Sequence, residues 1–232
     1  MSGQVSAGTV EAVLDDPIRA SLSGAHARFA ERAGRAVRYT PDVAPFHALA
    51  DPGDPADWAD LAALVPPGEE VALAGVDTAG PGWEITGAIA GVQFVDVGLR
   101  AAPYDEAVEL GAADVPEMLD LVARTEPGPF RPRTVELGTY LGVRRAGKLI
   151  AMAGERLHPP GWTEISAVCT DPAHRGRGLA TRLVAAVADG IRARGETPFL
   201  HTAASNHVAI RLYESIGFRL RRTTTFSTVR RR

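Results

Sequence analysis

The stretch Glu164-Ile165-Ser166-Ala167-Val168-Cys169-Thr170-Asp171-Pro172-Ala173-His174-Arg175-Gly176-Arg177-Gly178-Leu179-Ala180 decides how this chain is read. Residues 164–170 read as a strand, Asp171-Pro172 as a turn, and the apolar periodicity from about 178 to 193 as a helix. Gly176 and Gly178 let the backbone pass close to a bulky anion. The N–H groups of the first helical turn then point outward with the positive end of the helix dipole. Arg175 and Arg177 add charge, and His174 adds a donor. A diphosphate fits that description; the alternative is an exposed loop whose arginines meet only water. The loop lacks the Gly-Lys-Ser/Thr ending of a nucleoside triphosphate loop and the three-glycine spacing of a dinucleotide fold.

Working outward toward the C-terminus, residues 199–203 read as a strand, 206–216 as a helix and 218–229 as a closing strand. Asn206 suits the helix start and Gly217 its end. Tyr213, two turns beyond Asn206, falls on the same side of that helix. Toward the N-terminus, Val108-Glu109-Leu110 reads as a strand leading into a helix that runs to about Arg124. A Pro/Gly-rich loop covers 125–133, and strands at 139–144 and 149–157 join through Ala146-Gly147. Strands alternating with helices imply an α/β fold whose sheet holds at least one parallel pair.

The first hundred residues carry no catalytic motif. Residues 10–35 are mostly helix formers, split by Pro17 and stopped by Gly34. Asp54-Pro55 starts a short helix through Trp58, Leu61 and Leu64, and strands are expected at 71–76 and 85–97. The texture changes near Ala101-Ala102-Pro103, which places a boundary between an N-terminal α/β region, 1–103, and a second domain, 104–232. The helix-then-strand layout of the first part faintly echoes the second.

With 45% hydrophobic and 23% charged residues, a chain of 232 residues can bury a substantial core. A formal charge of −3 gives no net attraction to polyanions, so no nucleic-acid partner is expected and phosphate recognition must come from a local cluster of cations. Lys148 is the one lysine among 25 basic residues, which with abundant alanine points to GC-rich coding and a bacterial source. A single cysteine, an opening Met1-Ser2-Gly3-Gln4 without a leader-like pattern, and no run of about 20 apolar residues point to a cytoplasmic, non-membrane protein. His26, His47, His158 and His207 lack metal-ligand spacing, so no metal is expected. The basic clusters at 219–222 and 230–232 read as edge-strand solubility.

Arg175-x-x-Gly178-x-Ala180 matches the Arg/Gln-x-x-Gly-x-Gly/Ala signature of the GNAT acetyltransferase superfamily, which the chain resembles from about residue 106 to its end. Phe199-Leu200-His201-Thr202-Ala203 and the run from Asn206 to Phe218 resemble that superfamily's second motif. The resemblance implies a GNAT fold, a mixed twisted sheet flanked by helices, with residues 1–103 as a candidate degenerate GNAT-like half. It implies acetyl-CoA as co-substrate. The coenzyme would be held by the backbone of Val168, Cys169 and Thr170, by His174, Arg175, Gly176, Arg177, Gly178, Leu179 and Ala180, and by Asn206. It places Tyr213 near the thioester sulfur, where its hydroxyl would protonate the departing thiolate; the alternative is a core aromatic packed on Ile210 and Ile216.

An amine must be neutral to attack a carbonyl, so a nearby base helps. Glu164 sits where several GNAT enzymes carry a catalytic glutamate, and strand alternation would put it on one face with Ser166, Val168 and Thr170. The alternatives are an edge-strand charge facing water, or proton removal through a bound water. Direct attack in a ternary complex, with amides at Val168 or Cys169 stabilising the oxyanion, is expected over acyl transfer through Cys169 with His201 as its base. The acceptor is expected to be an amine of a small molecule or amino acid. The chain is similar to the FR47-like branch, whose relatives include glycine N-acyltransferase, and Arg131 and Arg133 would suit a carboxylate. Residues 1–103 would form a wall of the acceptor site or a homodimer contact. Peptide acetylation and a non-catalytic acyl-CoA sensor are the rival readings.

Overall fold

The structure is a computed structural model describing residues 11–232. Its strands, in chain order, are β1 (Ala30–Ala33), β2 (Ala36–Tyr39), β3 (Phe46–Ala48), β4 (Glu70–Ala74), β5 (Trp83–Asp96) and β6 (Ala107–Leu110). They continue with β7 (Tyr140–Arg145), β8 (Lys148–Glu155), β9 (Trp162–Thr170), β10 (Thr197–Ala203) and β11 (Phe218–Arg231). The α-helices are α1 (Pro17–Leu22), α2 (Pro55–Leu64), α3 (Val115–Thr125), α4 (Leu179–Ala193) and α5 (His207–Ile216).

All the strands join one sheet in the order β1-β2-β3-β4-β11-β5-β10-β9-β8-β7-β6. Read from the β11 and β5 pair outward, the order is matched on its two sides: β4 with β10, β3 with β9, β2 with β8, β1 with β7. Directions match too, since β3 and β4 are parallel, as are β9 and β10, and the neighbouring pairs are antiparallel. At the centre β11 lies between β4 and β5, and β5 between β11 and β10, so strands from either side of residue 103 interleave. This is the expected mixed sheet flanked by helices.

Four apolar clusters hold helices to this sheet. Leu183, Val184 and Val187 of α4 and Tyr213 of α5 pack with Val92, Phe94, Ile165 and Leu200. Met118 and Leu121 of α3 pack with Tyr140, Met152 and Cys169. Ile18 and Leu22 of α1 meet Val95, Leu157 and Phe199 near the sheet centre, and Trp58 and Leu61 of α2 cover Val71, Leu73 and Val229. Fully burying such a side chain stabilises by about 1.5–3 kcal/mol before the entropy of ordering it is subtracted.

Of the helical stretches expected within residues 10–35, split at Pro17, the later part is corrected; the first residue, Val10, lies outside the described residues. A short α1 forms where Asp16 accepts a bond from Arg19 N at 3.0 Å, but Ala30–Ala33 and Ala36–Tyr39 are a hairpin. Alanine, glutamate and arginine are good helix formers, but propensity is worth only tenths of a kcal/mol per residue, and pairing of β1 with Val37 and Tyr39 and of β2 with β3 overrides it. The α2 start is as read, with Asp54 accepting from Ala56 N at 2.9 Å and Pro55 in the first turn. No helix among the described residues is long and apolar enough to cross a membrane.

Candidate active site

β9 pairs with β10 only at Trp162, Thr163 and Glu164, opposite Thr197, Pro198 and Phe199. Past that point β10 follows β5 and β9 follows β8, so the two parallel strands part. The edge of β9 facing the gap is left with main-chain donors and acceptors that no strand takes up, as the pantetheine reading of Val168, Cys169 and Thr170 requires.

A bulge interrupts β9 within that gap. Gly154 faces Ser166 but Met152 faces Cys169, and Ala167 adopts a left-handed φ of 52°. The extra residue reverses the alternation. Val168 therefore packs beside Ile165 in the α4 cluster, whereas Ala167 and Cys169 enter the α3 cluster. The expectation that Glu164, Ser166, Val168 and Thr170 share one face is corrected by this bulge.

The loop that follows is tied down at its start. Asp171 accepts from Ala173 N at 3.0 Å and pairs with Arg124 from the end of α3. Arg175 Nε donates to the Thr170 carbonyl at 3.2 Å, which leaves the rest of its guanidinium free to turn to a ligand. Gly176 and Gly178 have φ of 74° and 70°, and a Cβ on either would meet nothing within 4 Å. Conformation and open space, not crowding, ask for glycine there. No side chain among the described residues caps α4 at Gly178, so the amides of its first turn keep their outward donors. Thr170 Oγ1 and His174 Nδ1 are buried without a hydrogen-bond partner among the described residues, and Arg175 and Arg177 have no carboxylate partner there. Orphaned donors, open amides and two uncommitted cations fit a diphosphate with its pantetheine arm.

One cavity of about 960 Å³ is lined by every residue expected to bind the coenzyme: Val168, Cys169, Thr170, His174, Arg175, Gly176, Arg177, Gly178, Leu179, Ala180 and Asn206. Asn206 also caps α5, its Oδ1 accepting from Ala209 N at 3.1 Å. Tyr213 lines the same cavity while its ring packs near Phe94 and Phe218, at centroid distances of 6.3 and 6.0 Å. Tyr213 is thus a core aromatic that also reaches the cavity wall. Burial pushes its hydroxyl up to about 12, so it keeps its proton at neutral pH.

Glu164 does not face water, and β9 is not an edge strand. The residue is 0% exposed and is absent from the cavity wall, where Arg156 and His201 stand in front of it. Arg156 donates to both carboxylate oxygens, Nε to Oε2 at 2.8 Å and Nη2 to Oε1 at 2.7 Å, and His201 Nδ1 lies 2.7 Å from Oε1. Burial alone would raise this carboxyl, but the Arg156 charge, its hydrogen bonds and His201 hold it down at about 2. Sequence reasoning missed Arg156. The available signal was hairpin register: Arg156 N donates to Glu164 O at 3.0 Å, so the two residues face each other across the turn between β8 and β9.

Burial pushes the Cys169 thiol up to about 11, leaving it protonated at neutral pH, and the ring nitrogens of His201 are engaged by Glu164 and Gln93. This geometry lacks the thiolate and base that acyl transfer through Cys169 would need. Residues 125–129 of the Pro/Gly-rich loop do line the cavity. Arg131 and Arg133 do not, and Arg133 is spent on Asp42 and Glu136, which corrects the carboxylate role expected of them. The C-terminal arginines are engaged as well: Arg230 with Glu70, Arg231 with the Ala62 and Val65 carbonyls, Arg232 with Glu84. Among the described residues no three His, Cys, Asp or Glu side chains cluster as a metal site.

The FR47-like protein family matches residues 140–227. N-alpha-acetyltransferase RimI of Mycobacterium tuberculosis is 35% identical over 127 residues, 49% of this chain and 79% of that protein. Mycothiol acetyltransferase of Thermomonospora curvata is 36% identical over 112 residues, 46% of this chain but only 36% of that longer protein. The crystal structure of a GNAT-family protein from Novosphingobium aromaticivorans superposes with a TM-score of 0.87 at 41% identity, covering 95% of this chain and 99% of that one.

Proposed function

The chain belongs to the GNAT acetyltransferase family, and from that premise we propose that it transfers the acetyl group of acetyl-CoA to a primary amine of a small molecule or amino acid, by direct attack within a ternary complex. The observation that carries this reading is the parting of β9 from β10 beside the uncapped start of α4. A slot of open main-chain groups there leads straight to an anion cradle. Residues 104–232 would carry the coenzyme, and residues 1–103 would wall the acceptor end, because Ile18, Phe46, Leu73 and Ile89 line the same cavity.

Bound acetyl-CoA supplies an electrophilic thioester carbonyl. The amides of Val168 and Cys169, at the bulge, would donate to the oxygen where negative charge develops, and such a preset donor contributes about 3–4 kcal/mol. Tyr213 would hold the proton destined for the departing sulfur. Glu164, locked by Arg156 and set behind the cavity wall, would act as a positioning residue that orients His201. The proton leaving the amine would pass to water in the cavity and so to solvent, because both ring nitrogens of His201 are engaged by Glu164 and Gln93.

A second reading, acetylation of a protein α-amino group, is favoured by the 35% identity to a protein named as an N-alpha-acetyltransferase. Calorimetry with acetyl-CoA, followed by thiol release over amines, amino acids and peptides, tests both. Micromolar binding with turnover on free amines is the expected result, and turnover on peptides alone would favour the second reading. Absence of coenzyme binding would remove the basis of either, and binding without any turnover would leave an acyl-CoA sensor.

A further inference from the structure

The cavity does not end at the reacting centre. Beyond His201 it continues past β5 and β11 to the N-terminal strands, where Leu14, Ile18, Phe46, Leu73, Ile89 and Phe226 line it. This far end occupies, in the matched strand order, the place by β3 and β4 that the coenzyme gap occupies by β9 and β10. It carries nothing that would hold a second coenzyme. The segment after β3 reads Asp51-Pro52-Gly53-Asp54-Pro55, with no arginine, and its Asp54 caps α2 and pairs with Arg35. An acidic start to a helix repels a diphosphate.

Among the described residues the charges along the far end are paired, buried at Arg156 and half-exposed at Asp15 and Arg222. Arg156 is held by Glu164. Arg222 Nη1 donates to Asp15 Oδ1 at 3.0 Å, and Asp15 takes a second bond from Arg221 at 2.8 Å. Gln93 donates to the Leu14 carbonyl at 2.9 Å and accepts from Arg221 at 2.8 Å. At buried Arg156 a ligand carboxylate would lose its water without gaining a free partner, and at the half-exposed Asp15–Arg222 pair a charged ligand would have to break an existing bond to gain one. An apolar body loses nothing of the kind and gains in proportion to the area it buries.

We propose that the acceptor is an amine on an uncharged, apolar body, an aralkyl or branched alkyl amine, seated with its amino group toward His201 and its body among Ile18, Phe46, Leu73, Ile89 and Phe226. This rests on the acetyltransferase reading above and narrows its acceptor. Polyamines and free amino acids are thereby disfavoured.

The test is thiol release with acetyl-CoA over ethylamine, 2-phenylethylamine, phenylalanine, spermidine and a tetrapeptide with a free α-amino group. The expected kcat/KM for 2-phenylethylamine is more than tenfold above each of the others. Ile89 is 58% exposed on β5, so Ile89→Asp should fold, bind coenzyme with unchanged affinity by calorimetry, and lose at least tenfold of the ratio between 2-phenylethylamine and ethylamine. Best turnover on spermidine, phenylalanine or the peptide, or an unchanged ratio in the variant, overturns the inference while leaving the enzyme an acetyltransferase. Thiol release from none of the amines overturns both.

Discussion

Gln93 and His201 face each other across β5 and β10, and their side chains meet Nε2 to Nε2 at 3.0 Å. Gln93 Oε1 accepts from Arg221 Nη1 at 2.8 Å, which turns the amide nitrogen toward the ring, and an NH2 group can only donate. His201 Nε2 is therefore the acceptor. In that arrangement Nδ1 carries a proton and donates it to Glu164 Oε1 at 2.7 Å. A chain of four side chains, Arg221, Gln93, His201 and Glu164, thus links the central strand β11 to the buried ion pair.

The ion pair sets the first prediction. Glu164→Gln leaves the buried Arg156 charge without its partner and should cost about 3–5 kcal/mol, whereas Arg156→Met with Glu164→Leu should cost much less. Urea denaturation midpoints compare them, and equal losses would mean that the pair is not buried as described. In the double variant, which keeps the fold, the pH dependence of kcat reports on proton transfer; an unaltered profile would remove Glu164 from any positioning role.

For the coenzyme loop, Arg175→Ala should weaken acetyl-CoA binding about tenfold, the worth of one charge-assisted contact of roughly 1.5 kcal/mol. Gly178→Asp combines a strained left-handed φ with a negative charge at the helix start and should weaken it by about a hundredfold or more. Calorimetry measures both; an unchanged Kd in the pair of variants would place the coenzyme elsewhere.

Tyr213→Phe keeps the packing against Phe94 and Phe218 and deletes only the hydroxyl. A proton donor in the rate-limiting step contributes about 10²–10⁴ in rate, so kcat should fall by that order with KM and thermal midpoint little changed. Retention of full kcat would leave Tyr213 a packing residue.

Acid should destabilise the fold in two stages. Burial, joined by nearby positive charge, lowers His26, His47 and His158 from about 6.5 to about 4, so each stays neutral in the fold while the unfolded chain takes up a proton. Stability is thus full above pH 6.5 and declines as pH falls toward 4, with a slope of up to about 4 kcal/mol per pH unit for three protons. Glu164, lowered from 4.5 to about 2, adds a further loss as pH falls through that range. Urea midpoints from pH 7.5 to 4.5 should drop below pH 6.5, and less steeply in His158→Gln; a flat profile would contradict the burial of these rings.

What the sequence by itself determined was local. A strand, a turn, two glycines and an uncapped helix start are set by residues within a few positions of one another, and so the glycine-bearing loop before α4 and the caps at Asp54 and Asn206 could be read before any fold was known. Tertiary structure alone decided what depends on distant chain. β1 and β2 form from residues that favour helix, because β3 offers them a partner. The bulge at Ala167 moves Val168 to the other face, and Glu164 owes its environment to Arg156 on the hairpin's other arm and to His201, 37 residues away. The apolar far end of the cavity arises only where strands from both parts of the chain interleave. Hydrogen-bond satisfaction over a few residues leaves a mark on composition and spacing, whereas the pairing of buried charges and the shape of a cavity depend on which surfaces the sheet brings together.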